Sequence, residues 1–386
     1  MITFTPSLSW KSLLKLLYCK QPDDTKLAQY WCKEKDKAIW FSRTAWALHT
    51  IARWWEINFS TAPVIWVPAY FCHQSLWPLY QTNAKIVFYP LQEHMLPDWK
   101  ACEDLEKQAK PDIFIATHYY GSITPTHEIA LFCKRHNSLL VEDAAHILIP
   151  SGDVGERGHF ILYSPYKLFP LAHGAICIER PSVNDFLNTK GIKESVSIQK
   201  VSFVVGKDYP NVTKWFIKRI LQKFIGDRLN FLREKMPFEM DKTPTPMSFT
   251  PQMHPLMKKI LHLTSNQIPS IIKHRKECVA VWESLFEQNN IAVRSLTFNN
   301  KEIPYVGVFE SVHNKAQTIY NTFKKWPLSS WPDLPPEVKA NPVLHKATLH
   351  FRSTILIAPV HQTLNISELI KRYSKYQPKL IENKKS

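Results

Sequence analysis

The chain has 386 residues, 45% of them hydrophobic, and carries 49 Lys plus Arg against 33 Asp plus Glu, a formal charge of +16. That length can bury a large core in two or three domains, and the charge favours anionic partners such as nucleotide phosphates, nucleic acid or acidic lipid without bearing on fold. Nine glycines against 28 prolines argue against a glycine-rich phosphate loop, and seven scattered cysteines with no CxxC pair argue against a zinc site or a disulfide framework and for reduced thiols in a cytosol.

Residues 1–24, "MITFTPSLSWKSLLKLLYCKQPDD", lack a basic start followed by a long apolar run, so no secretory signal is expected. "SRTAWALHTIARWW" (42–55) has helical spacing. The uncharged run from Thr61 to Ala84 is long enough to span a bilayer, but Pro63, Pro68, Pro78, His73, Gln74 and Gln81 argue against it. "VIWVP" (64–68), "KIVFYPL" (85–91), "DIFIATHYYG" (112–121), "SLLVEDAAH" (138–146), "HFILYS" (159–164) and "GAICIER" (174–180) read as strands. "THEIALFCKRHN" (126–137) reads as a helix capped by Thr126. This alternation predicts an α/β fold with a mainly parallel sheet covered on both faces and ligands at the carboxyl ends of its strands.

After residue 181 the pattern changes. Residues 207–235 read as a basic amphipathic helix with a break at Gly226. A solvated basic face is the ordinary reading of such a helix, with a contact to a partner, substrate or membrane surface as the lesser one. A proline-rich connector (236–255), a long helix (Asn266 to Gln288) and a second proline-rich loop (327–342) follow. The expected domains are 1–190, which would hold a cofactor, 191–255 as basic helix and connector, and a smaller C-terminal α+β domain over 256–386.

Three places could carry chemistry. An apolar strand runs into Glu142 and Asp143, carboxylates that are costly to bury unless a cation or donor meets them. Twenty-one residues after Asp143 another strand ends at Ser164, with Lys167 just beyond. Ser42, Arg43 and Thr44 open a predicted helix, where free N–H groups favour a phosphate. Each has a plainer reading as a helix cap or a surface lysine. Together they supply what pyridoxal 5'-phosphate requires: an amine for the covalent link, a carboxylate for the ring nitrogen and a phosphate seat.

In order and spacing these segments resemble the DegT/DnrJ/EryC1/StrS family of pyridoxal-phosphate-dependent sugar aminotransferases, of fold type I. "FSRTAWALHTIA" is similar to the family's helix start, "THYYG" to its His-x-x-Gly strand end, "VEDAAH" to its Glu-Asp-x-Ala-Gln/His signature, "YSPYKLFPLAHGAICIE" to its lysine segment and "PVHQ" to its late block. The resemblance implies Lys167 as catalytic Schiff-base lysine and proton shuttle, Asp143 as partner of the ring nitrogen and His146 as donor to the ring hydroxyl oxygen. Ser42, Arg43, Thr44 and Ser164 would hold the phosphate, and no metal is implied. It further implies a cytoplasmic homodimer moving an amino group from an amino acid, such as glutamate, to a keto group of a nucleotide-linked sugar.

The chain departs from the family at several points. Arg43 stands for the usual glycine, Lys167 follows Ser164 by only three positions, "AHGA" replaces a Gly-Gly pair and brings His173 near, and the ring-stacking aromatic falls near Cys72. A second reading keeps the fold and drops turnover, leaving a regulatory or binding role through the basic helix. A nucleic-acid binder has the charge but no binding module, so no nucleic acid is expected.

Overall fold

The computed structural model describes residues 4–201, 209–225, 238, 243–247, 250–296 and 299–374. In chain order the first part runs α1 (Trp10–Tyr18), α2 (Asp24–Ala28), β1 (Lys37–Phe41), α3 (Thr44–Phe59), β2 (Val64–Pro68), β3 (Lys85–Tyr89), α4 (Trp99–Glu106), β4 (Ile113–Thr117), α5 (His127–His136), β5 (Leu139–Ala144), β6 (Phe160–Tyr163), α6 (Pro165–Leu168), β7 (Ala175–Glu179) and α7 (Ser182–Thr189). The remainder is α8 (Tyr209–Ile225), α9 (Pro255–Ser265), α10 (Ile268–Gln288), β8 (Val293–Ser295), β9 (Gly307–Ser311), α11 (Ala316–Thr322), α12 (Pro336–Ala340), α13 (Lys346–Thr354), β10 (Ile355–Ala358) and α14 (Ile366–Tyr373).

Strands β1 to β7 form one sheet in the order β1-β7-β6-β5-β4-β2-β3, parallel from β3 through β6. Strand β7 is antiparallel to both β6 and β1, so β1 again runs with β6. The carboxyl ends of β1, β2, β4, β5 and β6 therefore share one edge, which brings Ser42, Thr117, Asp143 and Ser164 to the same end of the sheet. Both faces are buried, as the strand runs predict. On β6, Phe160 and Leu162 join the core under α3, while Ile161 and Tyr163 join the core on the opposite face. The α/β fold with a mainly parallel sheet is thus as expected. Strand β1 was hidden in the sequence because "KAIWF" runs directly into α3 and looks like its first turn.

Strands β8 to β10 make a second, antiparallel sheet in the order β10-β9-β8. Its residues alternate: Ile355 and Ile357 join the large core, whereas Leu356 and Ala358 pack with Trp282 and Phe286 of α10. The predicted long helix is α10, beginning two residues later than expected with Pro269 in its first turn. Thr126 occupies the N-cap position of α5 but makes no capping bond; its hydroxyl accepts instead from Arg157. Of the basic segment 207–235 the structure shows α8, and the expected break at Gly226 lies outside the described residues.

One glycine ties the two sheets together. Gly121 has φ +103°, and a Cβ there would stand 2.0 Å from the Ile303 carbonyl oxygen. Next to it, Tyr305 N–H donates to the Tyr120 carbonyl at 2.8 Å. Gly121→Ala should destabilise the protein by more than the ~1–3 kcal/mol of the backbone strain alone, because backbone must also move. Urea unfolding measures this, and a loss below ~0.5 kcal/mol would contradict the packing described, since that is the range of a neutral surface change.

Candidate active site

Lys167 lies in α6, a single turn after β6 that starts with Pro165, where a missing N–H and a preset φ cost nothing. The turn is bound to its surroundings by backbone: Lys167 N–H donates to Ser164 O at 3.0 Å and Tyr166 N–H to Gly174 O at 3.1 Å. Gly174 N–H in turn donates to Ser42 O at 2.8 Å, and Ser42 N–H to Pro251 O at 2.7 Å. The lysine turn and the start of α3 are thereby fixed to each other through one glycine.

Lys167, Thr44, Asp143 and His146 line a narrow recess together with Phe71, Cys72, Thr117 and Trp331. Lys167, Thr44, His146, Cys72 and Trp331 also line a wider cavity of about 530 Å³ that adds Arg43, Tyr166 and Tyr305. The recess is the deep end of that cavity. Ser164 reaches it through Thr44, their hydroxyls 3.4 Å apart. Ser42 is fully buried, does not line either space, and its Oγ has no hydrogen-bond partner. His173 is buried away from both, its pKa pushed down to about 3 by burial and by the charges of Arg43 and His254.

Asp143 is almost wholly buried and its Oδ1 accepts from Ala145 N–H at 3.1 Å. Burial raises its pKa above the ordinary carboxylate value, opposed by the charge of Lys167. His146 is held the other way: burial, then Lys167, keeps its pKa well below that of a free imidazole, so the ring is neutral. Its Nδ1 accepts from Tyr120 N–H at 3.1 Å, which leaves the proton on Nε2. The ring is stacked on Tyr305 at 4.5 Å and on Tyr120 at 5.8 Å. His146 is therefore a fixed hydrogen-bond donor at Nε2.

Glu142, the neighbour of Asp143, faces the other side of the strand and has a different task. One of its oxygens accepts from Gly155 N–H at 2.6 Å and from His118 Nε2 at 3.2 Å; the other accepts from Gly158 N–H at 2.6 Å. His118 is the donor, since its Nδ1 accepts from Thr124 N–H. Burial alone would raise the Glu142 pKa, but these donors outweigh it and hold it below the usual value of 4.5. A depressed folded pKa contributes stability that is present above pH 4.5 and lost as pH falls through the folded value. Glu142→Gln should therefore cost ~1–3 kcal/mol at neutral pH, with the deficit against wild type shrinking below about pH 4. A deficit in urea unfolding that is the same at pH 7 and pH 3.5 would contradict this role, because only the ionised form is replaced.

Arg43, at the place of the family's glycine, has φ −144°, extended backbone that any residue adopts. Its guanidinium stacks 3.9 Å from the centre of the Tyr166 ring and donates to Ala172 O. The substitution therefore causes no strain and adds a cation to the cavity wall.

Several wall residues escaped the sequence reading. Trp331 comes from the second proline-rich loop and Thr245, Pro246 and Met247 from the connector, both read there as linkers. Gln74 pins the connector: its side chain donates to Thr245 O at 2.7 Å and accepts from Thr245 N–H at 3.0 Å. Arg275, 1% exposed, donates to the carbonyls of Pro304, Tyr305, Val360 and Leu168. It joins the residue after Lys167 to the segment that carries Tyr305. A charge on the apolar stripe of α10, between Ile271 and Cys278, was the available signal.

No protein-family model matches the chain, and no curated protein matches it. Solved structures do. PseC from Helicobacter pylori, an aminotransferase of pseudoaminic acid biosynthesis, is 15% identical with a TM-score of 0.62 over 97% of this chain and 100% of its own. The aminotransferase TlmJ from Streptoalloteichus hindustanus is 13% identical with a TM-score of 0.66 over 97% of both chains. The Streptococcus pneumoniae protein Spr1654, solved in a PLP form, is 15% identical with a TM-score of 0.65 over 97% of both chains. A DegT DnrJ EryC1 StrS aminotransferase from Brucella abortus also matches, at a TM-score of 0.57. The chain thus has the fold of these enzymes over nearly its whole length.

Proposed function

We propose that this chain, folded as those aminotransferases are, is itself a pyridoxal-phosphate-dependent aminotransferase of the DegT/DnrJ/EryC1/StrS type. The observation that carries the reading is that Lys167, Asp143, His146 and Thr44 line one connected recess at the carboxyl edge of a parallel sheet. The donor set fits the cofactor in its details. Asp143 is a buried carboxylate whose raised pKa calls for a facing cation, and His146 presents a fixed Nε2–H. Arg43 and Thr44, with Ser164 behind Thr44, would hold the phosphate at the start of α3, where backbone N–H groups favour an anion, whereas Ser42 lies outside both spaces.

When bound, pyridoxal phosphate supplies a carbonyl that links to amines and a ring that accepts the electrons released at the adjacent carbon. Asp143 would hold the ring nitrogen and keep its proton, and His146, with its proton on Nε2, would donate to the ring hydroxyl oxygen. The Lys167 amine would anchor the cofactor and, once an amino donor displaced it, would be the base placed to move a proton at the donor's alpha carbon. The rings of Tyr305 and Trp331, centred 5.9 and 5.8 Å from Lys167 Nζ, would shield that amine from water.

Glutamate is the donor in this reading and a nucleotide-linked keto sugar the acceptor. The cavity wall supports an anionic acceptor: Arg43 and Lys167 line it and, among the described residues, the one carboxylate is Asp143 in the deep recess. Residues 1–190 would hold the cofactor, 256–386 would form the smaller domain and 191–255 the connection, in a cytoplasmic homodimer that binds no nucleic acid.

The test is the visible spectrum of the purified protein with pyridoxal phosphate, before and after glutamate. A band that glutamate bleaches, and that a keto-sugar nucleotide restores, is the expected result. A band that glutamate leaves untouched would overturn the donor, and the absence of any band would overturn the reading.

A further inference from the structure

The loop that carries Trp331 is tied down at five consecutive residues, 329 to 333. Ser329 exchanges two backbone bonds with Ile357 of β10, both 2.9 Å. Arg352 of α13 is buried and donates from Nη1 to Ser330 Oγ at 2.6 Å, from Nε to the Pro332 carbonyl and from Nη2 to the Phe238 carbonyl at 2.7 Å. The Asp333 carbonyl accepts from His73 N–H at 2.9 Å. Connecting loops ordinarily run over the surface and move more than the elements they join, so this degree of anchoring calls for a reason.

At the centre of the loop the Trp331 carbonyl meets two buried phenols. The Tyr70 and Tyr120 hydroxyls both lie within hydrogen-bond distance of it, Tyr120 at 3.0 Å, and are 2.6 Å from each other. Burial lifts both phenols above their ordinary value of 10, so both keep their protons. Two protons cannot serve three contacts at once, but in every arrangement at least one ends on the Trp331 carbonyl. Tyr120 also donates its N–H to His146 Nδ1, so the same residue holds the imidazole and the loop. What this framework fixes is the Trp331 indole, whose ring centre stands 5.8 Å from Lys167 Nζ and 5.1 Å from the His146 ring.

We propose that Tyr70, Tyr120 and Arg352 are positioning residues that hold the Trp331 indole as a fixed cover over the Lys167 amine. The consequence for the reaction rests on the reading of Lys167 as the reacting amine; the geometry of the cover does not. An amine that moves a proton at a substrate carbon has to be kept from bulk water, and a cover on a loosely held loop would leave it open part of the time. None of the three residues needs to touch a substrate for this. Each acts through the backbone of residues 330 to 332.

The experiment is competitive acetylation of the full chain by acetic anhydride without added cofactor, read at each lysine by peptide mass spectrometry, with the exposed Lys107 and Lys273 as internal references. Trp331→Ala should raise the rate at Lys167 at least about fivefold relative to them, the scale of a local opening made permanent. Tyr70→Phe with Tyr120→Phe removes only two oxygens but leaves the Trp331 carbonyl bare, so the loop must shift to find a partner and a similar rise is expected. Each single variant keeps one hydroxyl on the carbonyl, should fold as wild type does, and should give a rise of about twofold. With pyridoxal phosphate bound, the double variant should slow the bleaching of the visible band at saturating glutamate about tenfold, with half-saturation within about twofold of wild type. Unchanged labelling of Lys167 in Trp331→Ala overturns the cover. A lower melting temperature with unchanged labelling in the tyrosine variants makes those residues merely structural and overturns their positioning role, and an unchanged bleaching rate overturns the cover's part in the reaction. Should wild type form no band, or one that glutamate leaves untouched, the aminotransferase reading fails while the labelling still decides the cover.

Discussion

Lys167→Ala is expected to remove the visible band formed with pyridoxal phosphate and to lower amino transfer by at least ~10⁴-fold, because one amine is both covalent anchor and proton carrier. The protein should still fold. Lys167 closes a short turn held by backbone bonds from Ser164, Gly174 and Ser42, and none of these needs its side chain. Lys167→Arg separates chemistry from charge. It keeps a cation near Asp143 and His146, whose pKa values both feel that of Lys167, but offers no amine that can form the link. Both variants should therefore be inactive. Wild-type transamination by either would show that Lys167 is a loop lysine.

Asp143→Asn should cost activity without costing stability. The side chain keeps its shape and can still accept from Ala145 N–H, so the turn after β5 is preserved. The charge is lost, and with it the means of keeping the ring nitrogen protonated, for an expected fall of ~10²–10³-fold in kcat, the scale of one preorganised electrostatic contact. Stability should move in the opposite direction. Burial raises the folded pKa of Asp143 above its value of 3.8 in the unfolded chain, so the folded state gains relative stability as pH falls and pays for the ionised form at pH 7. The asparagine variant removes that penalty and should melt no lower than wild type at neutral pH. If activity is unchanged, Asp143 does not hold the ring nitrogen. If the melting temperature drops by several degrees, its carboxylate is a structural element as Glu142 is.

The contrast between these two neighbours separates what could be read from the sequence from what could not. "VEDAAH" announces two carboxylates at a strand end, but alternation sends them to opposite faces. Only the pairing of β5 with β4 and β6 decides that Glu142 meets the donors of residues 155–158 while Asp143 meets the recess. The strand runs, the order of the motif blocks and the position of Lys167 after β6 were legible because they depend on local periodicity and spacing. Strand β1 was not, since its pairing with β7 joins residues far apart in the chain. The same holds for Trp331, Tyr305, Thr245 and Arg275. Trp331 and Thr245 lie in proline-rich stretches, Arg275 on a helix stripe and Tyr305 in the coil before β9, where local pattern describes only a linker or a packed face.

By itself, then, the sequence determined an α/β fold and its parallel strands, and it brought forward the groups proposed to hold a phosphate and a ring nitrogen and to supply an amine. Those are properties of short windows and of the edge to which parallel strands deliver their ends. Tertiary structure decided which carboxylate faces the recess, which nitrogen of His146 keeps its proton, and that Arg43 sits without strain. Each of these depends on a contact between distant segments, and local pattern carries no record of what the chain will later pack against it.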